Sequence, residues 1–234
     1  LASTEAIGLY TSNAVPTQID AVTYANAQNG VSQGRLPDGN TNIVFFPDSA
    51  SPEVSNWLPL SGSLVINEAL TRAAAPLEQA IEVRNPGDVD VAIGGWFLSN
   101  ARKDLKRFLI SPGTVVSAGG FKVFYEAQFN PNNDLPPSFA LNASKDDEII
   151  LSVADANGNL TGYRTSVKFG ASSSNVSFGR YEKSTGDDFV ALSARTFGVD
   201  SPGTVAQFRT GAGATNAYPV VGPLVINEVH YHPP

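Results

Sequence analysis

One short phrase is spelled twice in this chain. Leu64-Val65-Ile66-Asn67-Glu68 returns as Leu224-Val225-Ile226-Asn227-Glu228, 160 residues later. Val31-Ser32-Gln33-Gly34-Arg35 returns as Val176-Ser177-Phe178-Gly179-Arg180 at an offset of 145, and Val22-Thr23-Tyr24 matches Val167-Lys168-Phe169 at the same offset. Ser51-Pro52 matches Ser201-Pro202, and Glu5 and Ile7 match Glu148 and Ile150. Self-similarity of this kind means one structural unit built more than once, with drifting offsets where loops differ in length. The order of the matches sets the phase. Residues 1–58 match the later half of the repeat, and 59–210 hold one complete copy. Residues 211–223, rich in Gly, Ala and Thr, form a linker, and 224–234 supply the first strand of a further copy. The chain is therefore expected to be a window on a tandem array. A half unit leaves an apolar face and open strand edges, so 1–58 should pack on the complete unit or on another chain.

The repeated unit reads as all-β. Short runs of β-branched and aromatic residues alternate with polar ones: Leu64–Ile66, Ala80–Val83, Phe121–Tyr125, Glu148–Leu151 and Phe189–Leu192. Between them stand Asn85-Pro86-Gly87, Ser111-Pro112-Gly113, Ala118-Gly119-Gly120 and Asp155-Ala156-Asn157-Gly158, which favour tight reversals. Asn67 to Leu77, with three consecutive alanines, lacks apolar periodicity and reads as a strand end followed by a loop. Many short, turn-bounded strands predict an antiparallel sandwich or barrel.

Composition removes several functions. The net charge of −7 disfavours phosphate backbones, so no nucleic-acid partner is expected. With no cysteine there are no disulfides, zinc-thiolate sites or cysteine nucleophiles. The two histidines, His230 and His232, stand at the end of the chain, which leaves the body without a Ser-His-Asp triad. No stretch approaches the roughly 18 apolar residues of a membrane helix, and no membrane insertion is expected. No basic region followed by an apolar one opens the chain, so a signal peptide is absent or already removed.

The ordered motifs carry a resemblance. Leu64–Glu68 is followed by Ile81-Glu82-Val83-Arg84-Asn85-Pro86-Gly87, then Val91–Ser99 with Gly95-Trp96 at its centre, then Pro112-Gly113-Thr114. Gly119-Gly120-Phe121, Glu148–Leu151 and Asp155-Ala156-Asn157-Gly158 complete the series. This succession resembles the lamin-tail domain in its bacterial form, with Val83-Arg84 standing where that family favours leucine and an aromatic. The resemblance implies an immunoglobulin-like antiparallel β-sandwich: one complete module flanked by partial repeats. It implies a noncatalytic structural or interaction module of a multi-module exported bacterial protein, extracellular, at the cell surface or in the periplasm. Its partners would be proteins or neighbouring modules, including self-association through the incomplete terminal modules. Two alternatives stay open: an accessory or targeting domain of an exported enzyme (a CotH-type kinase, nuclease or phosphatase), and a cell-surface assembly unit.

Individual residues have bland readings that outweigh sharp ones. Trp96 reads as core filling beside Gly94-Gly95, rather than as a stacking platform. The repeated Asn67-Glu68 and the repeated Gly-Arg pairs (Gly34-Arg35, Gly179-Arg180) read as structural: a strand-end carboxylate bonded to backbone amides or paired with the arginine. Asp155–Asn159 resembles part of a calcium loop but lacks the further ligands, so a hairpin turn is expected. Asp146-Asp147-Glu148 and Asp187-Asp188 read as solvated strand ends. His230 and His232 share a face if extended, yet lie at a terminus. Arg102–Arg107 is a basic loop without interleaved aromatics. The expected set of catalytic, cofactor-binding and metal-ligating residues is therefore empty.

Overall fold

The structure, a computed structural model, describes residues 4–60, 62, 64–184 and 186–220. The N-terminal part forms two hairpins: β1 (Thr4–Tyr10) with β2 (Gln18–Ala25), and β3 (Ser32–Arg35) with β4 (Ile43–Phe46). A short strand, β5 (Leu58–Pro59), leads into the sandwich. There follow β6 (Val65–Leu70), β7 (Ala80–Arg84), β8 (Val91–Ala92), β9 (Phe97–Ser99), β10 (Phe108–Leu109), β11 (Val115–Val116) and β12 (Phe121–Tyr125). After one helical turn, α1 (Glu126–Phe129), come β13 (Asp147–Ala154), β14 (Leu160–Phe169), β15 (Phe178–Lys183) and β16 (Gly186–Ala191). A second single turn, α2 (Val205–Phe208), lies in the C-terminal segment.

Two five-stranded sheets carry the fold, in the orders β10-β9-β13-β14-β5 and β12-β7-β6-β15-β16, with β8 and β11 as a small separate ribbon. Every pairing is antiparallel except that of β5 with β14. The expected immunoglobulin-like sandwich is what the chain forms. Its core is filled by residues from both sheets: Ile66, Ile81, Val83 and Phe124 on one side, Leu98, Ile149, Leu151 and Val167 on the other. Each fully buried aliphatic or aromatic side chain contributes about 1.5–3 kcal/mol relative to exposure. The segment after β6, expected as loop, is a loop, because Ala73-Ala74-Ala75-Pro76 offers no apolar stripe.

The period-2 rule explains the inner faces, but β7 is buried along both of them, from Ala80 to Val83. The reason lies past the last strand. Phe197 and Phe208, both fully buried, form a second apolar cluster with Leu70, Ala80, Val123 and Tyr125 on the outer face of the β12-β7-β6-β15-β16 sheet. The Tyr125 hydroxyl donates to the Gly211 carbonyl at 2.9 Å. Residues 211–220, read in the sequence as linker, lie along the sandwich, and Ser193 N donates to Tyr218 O at 2.8 Å. The expected strand at 224–234 falls outside the described residues.

The second N-terminal hairpin meets the outer face of the other sheet through its loop, while the first stays largely exposed along its length. Leu36, buried, rests on Gly162 of β14, where a Cβ would overlap its Cδ1 and where φ is +88°. Gly162→Ala should therefore cost about 1–3 kcal/mol and loosen this joint while the sandwich stays folded. A red shift of tryptophan emission, as Trp57 gains water, would report it. An unshifted spectrum and unchanged melting would show that the joint does not depend on this contact.

Candidate functional site

Two places gather polar groups under cover. The first holds the Asn67-Glu68 pair. On β6, Ile66 points into the core, and the register slips between Ile66 and Glu68, so Asn67 occupies a bulge. Glu68 then stands directly opposite Glu82 of β7. Both carboxylates are fully buried beneath the C-terminal segment. Glu68 accepts from Ser177 Oγ at 2.5 Å, from the Thr196 N–H at 3.1 Å and from the Thr196 hydroxyl. Glu82 Oε1 accepts from Asn67 Nδ2 at 2.6 Å. Asn216 closes the group: its Nδ2 donates to Asn67 O at 3.0 Å and to Arg180 O at 2.9 Å, and its Oδ1 accepts from Asn67 Nδ2.

Burial pushes Glu82 up to about 8, the Glu68 charge adds to this, and the Asn67 hydrogen bond opposes it. Glu68 is also raised by burial, against the pull of its Ser177 and Thr196 hydrogen bonds. Of the two structural readings of Asn67-Glu68, bonding to a backbone amide is the one formed. Arg180 instead pairs with Asp187 at 2.7 Å, and Arg35 with Asp20 at 2.7 Å.

The second place is a cavity of about 250 Å³ between the β3–β4 loop, residues 55–57 and the sandwich. Strand alternation puts Val167 and Phe169 in the core and Arg164 on the opposite face of β14. Arg164 is only 4% exposed, and Ser152, directly across on β13, is 3% exposed. The Arg164 guanidinium lies 4.4 Å from the Trp57 ring centroid. Its Nη1 and the Ser152 Oγ have no hydrogen-bond partner among the described residues. The carboxylate of Glu148, nearby on the same face, is taken by Arg102 (2.6 and 3.0 Å) and Ser166 (2.9 Å). Burial pulls the Arg164 pKa down to about 10, the charge of Glu148 holding part of it back. At the rim Lys106 donates to Gly158 O at 2.6 Å, and Asp38 accepts from the Asn56 N–H at 3.0 Å.

The other candidate residues are dispersed. Trp96 is half-buried and packs against the core. Gly94 allows the Ser111–Gly113 turn to approach, since a Cβ would lie 2.7 Å from Gly113 N. Asp155 closes the β13–β14 hairpin by accepting from the N–H groups of Asn157 and Asn159, both at 2.9 Å. Asp188 pairs with Lys183, and Asp147 accepts from the Asn142 N–H at 2.8 Å. Three cations of the basic loop are engaged locally: Arg102 on Glu148, Lys106 on Gly158 O, and Arg107 on Asn100 Oδ1 and Ser138 O. His230 and His232 lie outside the described residues. Among the described residues no three His, Asp or Glu gather to hold a metal, and no helix is long and apolar enough to cross a membrane.

Sequence reasoning passed over Arg164 and Trp57. A signal was there: an arginine within a ten-residue strand, and one of only two tryptophans set just before that strand's partner.

Comparison with known proteins agrees with the fold. The family model described as Lamin Tail Domain matches residues 59–193, more than half of the chain, and the chain belongs to that family. No curated protein and no solved structure matched the chain.

Proposed function

We propose that this chain is a noncatalytic structural and interaction module of a multi-module exported bacterial protein, in which sandwiches follow one another and meet through strand edges. One observation carries the reading: the local geometry around Gly34 repeats that around Gly179. At Gly179 a Cβ would lie 2.5 Å from Leu192 Cδ1 and 2.8 Å from Asn216 Nδ2. At Gly34 it would lie 3.3 Å from Phe46 Cε2 and 3.0 Å from Asn56 Nδ2. Asn56 Nδ2 donates to Arg35 O at 3.0 Å, as Asn216 Nδ2 does to Arg180 O. In the complete sandwich β15 receives β6, with Gly179 opposite Glu68. The matching strand β3 pairs only with β4 among the described residues. Its open edge is the seat an Ile-Asn-Glu strand would fill. The chain carries a second such phrase, Leu224–Glu228. A second copy of the chain is the partner this favours, the second phrase itself lying outside the described residues.

The apolar side chains of the first hairpin fit the same picture. Ile7, Leu9 and Ile19 are each about three-fifths exposed (62%, 59% and 61%), as an uncovered half-sandwich face would be. Absence of cysteine and methionine suits an oxidising, exposed setting. Light scattering over a concentration series tests the partner. Association is expected, with loss of it in Ile226→Pro, whose ring interrupts strand pairing. A strict monomer, with β3 amides exchanging as fast as an open edge, would overturn the reading.

A further inference from the structure

We propose that the cavity between the β3–β4 loop and the sandwich binds a small monocarboxylate with an apolar substituent, held by Arg164 and Ser152. Three observations carry this. A guanidinium taken out of water without a counter-charge is costly, and a buried arginine ordinarily faces a carboxylate. Here the nearby Glu148 is committed to Arg102 and Ser166. The Arg164 guanidinium carbon lies over the Trp57 ring, and its Nη1 has no hydrogen-bond partner among the described residues. Ser152, opposite Arg164 in the β13–β14 register, adds a hydroxyl without a partner on the same wall.

The lining chooses among anions. Pro37, Leu105, Leu160 and Tyr163 give the cavity apolar walls. Asp38 and Lys106 also line it with opposite charges, so Arg164 leaves a single positive charge to match, which suits a monoanion over phosphate or sulfate. A single carboxylate matches the planar fork of the arginine, and a hydrocarbon tail matches the walls. Its source is either a free small acid or a peptide C-terminus, which share this chemistry.

The test uses the whole chain and the emission of Trp57. Phenylacetate should produce a saturable change, and phenylacetamide of the same shape should not. Sulfate should compete weakly or not at all. A dipeptide with a free C-terminus compared with its C-terminal amide separates the two sources: binding by the free form alone points to peptide ends, and binding by neither points to small acids. Arg164→Gln should abolish the phenylacetate response. Ser152→Ala, a smaller change on the same wall, should weaken it about tenfold to a hundredfold, in line with loss of one charge-assisted hydrogen bond. If Arg164→Gln does not fold, Ser152→Ala decides. Equal binding of phenylacetate and phenylacetamide, no saturation at 10 mM (roughly the weakest affinity a buried ion pair of this kind should give), or a Ser152→Ala response equal to that of the parent would overturn the proposal.

Discussion

Replacing Glu82 by glutamine should make the protein more stable at pH 8, by up to about 4 kcal/mol, and should flatten its stability between pH 5 and 8. Glu82 is raised from 4.5 to about 8, chiefly by burial. The folded chain therefore holds this proton more tightly than the unfolded chain does. Stability from this group is complete below the unfolded value near 4.5, falls as pH rises, and is lost once pH passes about 8. Glu68, also raised, acts with the same sign. Glu148 is lowered by Arg102 and Ser166 although burial opposes them, so its contribution is lost only as pH falls below the ordinary carboxylate range. Glutamine keeps the shape and the acceptor oxygen for Asn67 Nδ2 and removes the buried charge. Urea melts at pH 5, 6.5 and 8 would read the effect. Parallel pH curves for the parent and Glu82→Gln would contradict the assignment.

The second large effect is expected at Phe208. Its ring is fully buried, meets Tyr125 edge-on at 5.4 Å and Phe197 at 6.2 Å. Phe208→Ala should cost about 3–5 kcal/mol. The loss should appear first as opening of the 194–220 segment, because the main core lies on the other side of the sheet. Hydrogen exchange should accelerate at the Thr196 amide, which Glu68 holds, before it does in β7. Opening also gives water to Glu68 and Glu82, so the pH dependence described above should shrink in this variant. Uniform acceleration across both sheets would instead mean that the two clusters unfold as one.

Alternation made the main strands legible. Phe121–Tyr125 was readable to the residue, and Ala80–Val83 and Glu148–Leu151 lie within β7 and β13. Asn67-Glu68 is legible as a structural pair, but the bulge that re-aims it has no sequence signal of its own. Its partners, Thr196 and Asn216, come from more than a hundred residues away. The second cluster was hidden for a similar reason. Phe197 and Phe208 are isolated aromatics in a Gly-rich stretch without period, and only the outer face of the finished sheet gives them a place. Arg164 was hidden by its own regularity: an outward position on a strand reads as solvent-facing until another part of the chain covers it.

The short parallel strand has a mechanical consequence. Tension arriving from the N-terminal side enters the sandwich through β5, which holds β14 by two residues, with Leu60 N donating to Arg164 O at 2.8 Å. Next in the chain is β6, zipped on both sides by β7 and β15. Pulling on the chain from that side would first peel β5, yielding a few residues of slack at low force, and only then shear β6. The sandwich would behave as a rigid stop with a sacrificial catch in front of it.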